Sequence, residues 1–86
     1  MQIGSIITLN DKKEYVVIGK VEYGKTFYYC VACVDDPNVL KFLYETLQDG
    51  KLVYVEIHDA DLIVHITPML YQSALEFKDK ITKRNN

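Results

Sequence analysis

The 86-residue chain has no tryptophan, two prolines, two cysteines, two serines and four scattered glycines. The serines, Ser5 and Ser73, lie outside any nucleophile-elbow pattern, so serine hydrolysis has no support. Gly4, Gly19, Gly24 and Gly50 stand singly, which excludes a phosphate-binding loop built on clustered glycines. No apolar run approaches the roughly 20 residues needed to cross a bilayer, and Met1-Gln2-Ile3-Gly4-Ser5 lacks a charged segment ahead of an apolar stretch. A protein that neither spans a membrane nor is secreted, and resides in the cytoplasm, is the expectation. Basic charge is also missing. A formal net charge of −2 makes neutralising a phosphate backbone an improbable main task, so nucleic acid is an unlikely partner. Cys30 and Cys33, in a chain read as cytoplasmic, are expected to be reduced thiols.

What is present suits one small globular domain. The composition is 49% hydrophobic and 26% charged, enough apolar surface to offset ordering entropy. Residues 1–86 leave no room for a second core, since a domain usually takes roughly 100 residues. Seven tyrosines and three phenylalanines favour strands and interfaces alike.

Ile3 to Leu9 is short, β-branched and apolar, and ends in the turn-forming cluster Asn10-Asp11-Lys12-Lys13. From Glu14 to Tyr23 the pattern alternates, placing Tyr15, Val17, Val21 and Tyr23 on one face with Glu14, Lys20 and Glu22 among the residues opposite. Gly24-Lys25 then supplies a tight turn into Thr26 to Val34. That run is apolar on both faces, the mark of a central strand whose second face is covered by another element, such as a C-terminal helix.

Val39 to Gln48 has two readings. Asp36 could cap a helix with Pro37 in its first turn and Gly50 at its end. Alternatively, an Asp49-Gly50 turn aligns Phe42, Tyr44 and Thr46 with Ile57, Val55 and Val53 across a hairpin, which is the preferred reading. Beyond Asp59, Ile63, Ile66, Leu70, Ala74, Phe77 and Ile81 recur at helical spacing. Thr67-Pro68 reads as an N-cap followed by proline in the first turn, predicting a helix over about 68–83 preceded by a separate short helical turn over 59–66. The basic residues Lys78, Lys80, Lys83 and Arg84 suit the C-terminal pole of the helix dipole. The expected fold is α+β: a five-stranded antiparallel meander over about 3–58, curved or partly barrel-like, with the helical region of about 59–83 packed on one face.

Catalytic and metal chemistry find little footing. Cys30 and Cys33 form a Cys-x-x-Cys, but inside a strand residues i and i+3 point to opposite faces, so both read as small buried hydrophobes. A zinc site would need His58 and His65 at a spacing that matches no standard finger. His58 with Asp59 and Asp61 is explained more simply by helix capping than by acid–base work. The tyrosines are better placed to act: with Tyr54 opposite Glu45 and away from the Phe42 stripe, Tyr28 and Tyr54 are the candidate binding residues of an exposed aromatic patch.

The order Gly4-Ser5-Ile6-Ile7-Thr8-Leu9, Glu14-Tyr15-Val16-Val17, Tyr23-Gly24-Lys25 with Tyr28-Tyr29, Asp35-Asp36-Pro37, Lys41-Phe42 and the late Asp59-Ala60-Asp61-Leu62 resembles a domain-of-unknown-function group. Its members are short proteins of low-GC Gram-positive bacteria and their phages or mobile elements. The likeness runs from about Met1 to Leu70 and carries no catalytic residue over. It implies a turn at Asp36-Pro37 leading into a strand, and a bacterial or phage origin; the Cys30/Cys33 pair lies outside the shared pattern.

The functional expectation is a small non-enzymatic binding or accessory protein, without cofactor or metal, that contacts another protein or a second copy of itself through a sheet edge or the tyrosine-bearing face. The alternative is a single-stranded nucleic-acid module stacking bases on sheet aromatics, with Lys12, Lys13, Lys20 and Lys25 supplying local charge.

Overall fold

Five strands form one antiparallel sheet in sequential order: β1 (Ile6–Thr8), β2 (Glu14–Tyr23), β3 (Thr26–Cys33), β4 (Leu40–Gln48) and β5 (Lys51–Glu56). They are followed by one helix, α1 (Ala60–Arg84). The computed structural model describes the backbone of residues 1–84 and the side chains of residues 1–73 and 75. The sheet curls into a half-barrel with the helix packed against it, mainly on β2. No helix among the described residues is long and apolar enough to cross a membrane.

The local reasons are visible in the turns. Gly24-Lys25 and Asp49-Gly50 both take positive φ at their two central residues, the type I′ geometry whose twist matches paired strands. The second turn fixes the β4–β5 register as Tyr44 opposite Val55 and Thr46 opposite Val53. Residues 39–48 are therefore a strand in a hairpin and not a helix.

β3 is the central strand and is buried from both sides. Tyr29, Val31 and Cys33 join Tyr15, Val17 and Leu43 in the core of the concave face, under Ile3, Ile7 and Leu9 from the N-terminal segment. Cys30 turns the other way, with Tyr28, Phe42 and Tyr44, to meet Ile66, Leu70, Ile63 and Met69 of α1.

Two details differ from the sequence reading. The register of β2 slips between Val17 and Gly19, so Tyr15 and Val17 face the concave side while Val21 packs under the helix and Tyr23 meets His65 of α1. A bulge adds one residue to a strand and reverses the facing of everything after it, which moves Lys20 onto the concave side, above the Phe27 ring. A Cβ on Gly19 would come within 3.0 Å of the Leu70 carbonyl oxygen, so the bare glycine lets the helix backbone close on the sheet.

The second difference is the helix. It runs unbroken through Pro68, and no separate turn over 59–66 precedes it. Its cap is Asp59, whose Oδ1 accepts from the amides of Asp61 at 3.0 Å and Leu62 at 3.3 Å. Proline removes one amide donor to the preceding turn, but Ile66 and Leu70 on either side are buried against the sheet and hold both turns in one axis. Thr67 donates its hydroxyl to the Ile63 carbonyl one turn back, so it serves the helix interior instead of capping a new start. The expected contributions of Ala74, Phe77, Ile81 and the basic residues Lys78, Lys80, Lys83 and Arg84 lie outside the described side chains.

Candidate functional site

A half-barrel leaves two outer strands, here β1 and β5, and the space between them is where the molecule is open. A cavity of about 400 Å³ occupies it, with Ile7 and Leu9 from the β1 side, Leu43, Val53 and Tyr54 from β4 and β5, and Asp11, Lys41 and Glu56 at one end. Two further cavities lie along the helix seam, one lined by Ile18, Cys30, Phe42 and Leu70 and the other by Lys20, Val21, Pro68 and Met69, and neither reaches an outer strand.

The backbone of β5 can be followed group by group. Ile57 donates its amide to the Phe42 carbonyl at 2.7 Å, which makes Phe42 and Ile57 a hydrogen-bonded pair. Antiparallel pairs alternate, so Tyr44/Val55 and Thr46/Val53 are bonded too, and the amides and carbonyls of Leu52, Tyr54 and Glu56 point outward. The two-residue turn demands the same parity, because the pair that flanks it, Gln48 and Lys51, must be hydrogen-bonded. On β1, Val17 donates to the Ser5 carbonyl at 2.8 Å, so Ile7 bonds inward and Ile6 and Thr8 point outward. Both rims of the opening thus carry unspent backbone groups.

Side chains on the same face continue the surface. Leu47 and Leu52 form a cross-strand pair at the hairpin tip and are 67% and 58% exposed. Tyr54 comes next along β5, half-buried, its ring edge-on to Tyr29 with centroids 5.6 Å apart. Tyr29 donates its hydroxyl to Glu45 at 3.0 Å, and burial followed by this carboxylate pushes the phenol well above its ordinary range.

At the other end, Lys41 Nζ lies 3.3 Å from Asp11 Oδ2 and 3.3 Å from Glu56 Oε1. Tyr15 donates its hydroxyl to the same Asp11 oxygen at 2.6 Å, and the Lys13 amide donates to Oδ1 at 3.0 Å. Chiefly through the Tyr15 bond and then the Lys13 amide, the Asp11 carboxyl is lowered to about 2. For Lys41, burial favours the neutral amine, but the bonds to Asp11, Glu56 and Tyr15 outweigh it and hold the ammonium above the ordinary lysine range. The charged trio ties the β1–β2 turn to β4 and β5 across one end of the opening.

The two candidate tyrosines are not brought together. Tyr54 is on the cleft face, whereas Tyr28 lies opposite Val21 and Tyr44 and packs in the helix-side cluster, so they occupy opposite faces of the sheet. The lysines are also apart, Lys12 and Lys13 at one end of the ten-residue β2 and Lys25 beyond the other. Cys30 and Cys33 are free, buried and on opposite faces, and burial raises the Cys30 thiol to about 11. His65 packs edge-on against Tyr23 at 5.0 Å, while His58 Nδ1 lies 3.7 Å from Glu56. Among the described residues no three histidine, cysteine or acidic side chains are grouped to hold a metal.

Sequence reasoning passed over Asp11, Lys41 and Glu56. Once the hairpin register is set, Lys41 falls diagonal to Glu56 on one face, which is a readable signal; the approach of Asp11 depends on sheet curl and leaves none.

Compared with known proteins, the chain matches no family model, no curated sequence and no solved structure.

Proposed function

We propose that this is a protein-binding module that captures an extended segment of another protein as a sixth strand on the outer edge of β5. The observation that carries the reading is the state of that edge. Strands exposed to solvent are normally blunted by proline, bulges or central charges, and β5 has none of these between Lys51 and Glu56. Its interior is Leu52-Val53-Tyr54-Val55, and Leu52 and Tyr54 there, with Glu56 at the strand end, offer outward amides and carbonyls beside an exposed leucine pair and an open cavity. Strand addition draws affinity from main-chain hydrogen bonds and selectivity from pockets that take alternate side chains, and the edge and cavity are suited to each in turn.

A non-enzymatic role is part of the same proposal. Asp11 is lowered and Lys41 raised away from neutrality, the reverse of what a proton-transfer group near pH 7 requires.

The test uses a displayed library of linear peptides selected on immobilised wild-type protein alone, each selected peptide then being titrated against wild type and Leu52→Pro. Leu52 carries an exposed side chain and an outward amide, so proline there removes one docking donor without taking a bond from the β4–β5 ladder. Selected peptides should bind wild type and lose at least about tenfold on the variant, in keeping with a lost main-chain bond and a blocked edge. Peptides that bind both forms equally would refute docking at β5.

A further inference from the structure

From the charges at the end of the cleft we infer which segment docks: an extended partner strand, antiparallel to β5, reading basic-x-apolar-x-apolar, with its arginine or lysine opposite Glu56. The inference rests on the strand-docking reading and adds the partner's chemistry to it.

Antiparallel addition continues a sheet in which every existing pair is antiparallel. The added residues opposite Glu56, Tyr54 and Leu52 then form hydrogen-bonded pairs, and their side chains project on the same face as those three, into the opening. Opposite Tyr54 the new side chain meets the cavity walls made by Ile7, Leu43 and Tyr54, which favour a β-branched or other apolar group. Opposite Leu52 it meets the exposed Leu47/Leu52 pair, again apolar.

Opposite Glu56 the demand is different. Two carboxylates, Asp11 and Glu56, share the single ammonium of Lys41, leaving the trio one negative charge in excess. Asp11 already accepts from Tyr15 and the Lys13 amide as well, whereas among the described residues Glu56 Oε2 has only His58 near it, at 3.7 Å. A cation arriving opposite Glu56 therefore finds an oxygen with unused acceptor capacity, to which it can make a charge-assisted bond.

The same parity weighs against a second copy of this chain as the occupant. Twofold pairing of β5 with itself through the outward groups of residues 50–56 sets Glu56 against Gly50, Leu52, Tyr54 or the other copy's Glu56, none of them a cation. Lys51 bonds inward and never comes opposite Glu56.

The experiment is an amide-shift titration of isotopically labelled protein with three acetylated heptapeptides. They are Thr-Arg-Thr-Val-Thr-Val-Thr, its counterpart with glutamate in place of arginine, and a scrambled form that lacks alternation; the proteins are wild type, Glu56→Gln and Leu52→Pro. The arginine peptide should shift the amides of Leu52, Tyr54 and Glu56 and bind at least about fivefold tighter than the glutamate peptide, a gap that Glu56→Gln shrinks toward parity. If both alternating peptides bind equally and only Leu52→Pro abolishes binding, the edge reading stands and the basic requirement falls. If neither peptide shifts these amides, both fall. Concentration-dependent shifts of the same amides without peptide would mean that a second copy takes the edge, and would overturn the inference.

Discussion

Asp11 gathers three donors, two from just beyond it in the chain and one from β4: the Lys13 amide, the Tyr15 hydroxyl and the Lys41 ammonium. Because its folded value of about 2 lies below the ordinary 3.8, its contribution to stability is complete above pH 4 and is lost as pH falls toward 2. Asp11→Asn should therefore flatten the acid limb of a stability–pH curve between about pH 4 and 2, measured by denaturant unfolding at successive pH values. Tyr15→Phe, which removes the largest cause of the shift, should flatten it in part. An acid limb unchanged by Asp11→Asn would mean that the carboxylate is not held in this way. The contacts to Lys13 and Tyr15 are local, two and four residues on, whereas the bond to Lys41 joins residues distant in sequence that meet only through the curl of the sheet.

The elements were legible where turn chemistry and periodicity agreed. Asp49-Gly50 gave the correct register for β4 and β5, and the doubly apolar run of β3 marked it as central. The bulge before Gly19 had one trace in the sequence, the glycine itself, since a glycine inside an alternating run often marks a bulge or a close backbone approach. Tyr28 could not be assigned a face without the β3–β4 register, which the connection through residues 34–39 does not specify: it contains the expected turn, closed by the Val39 amide on the Asp36 carbonyl at 2.9 Å, but is longer than a two-residue hairpin loop. Pro68 was ambiguous because proline suits a helix's first turn and is tolerated inside a helix whose flanking turns are packed.

Two substitutions test these elements. Gly19→Ala should destabilise the fold by about 1–3 kcal/mol, since the new Cβ meets Leu70 backbone at 3.0 Å and the helix must move outward. Pro68→Ala should stabilise it by about 1–3 kcal/mol, by restoring the donor to the Val64 carbonyl in a helix that is already continuous. Denaturant midpoints measure both, and an unchanged midpoint for Gly19→Ala would show that the helix does not close on the sheet at this point.

At the scale of the whole molecule the half-barrel is a sheet held short of closure. Its two outer strands face one opening, and one end of that opening is tied by the Asp11–Lys41–Glu56 trio. The helix secures the other face and, among the described residues, leaves β5 with one side bonded and one side free. Amide hydrogen exchange along β5, in the free protein and with a library-selected peptide, reads the central claim most directly. Val53, Val55 and Ile57 should exchange slowly in both states, while Leu52, Tyr54 and Glu56 exchange fast alone and slow on binding. Uniform protection of the strand in the free protein, or three outward amides that bound peptide leaves unchanged, would contradict the account.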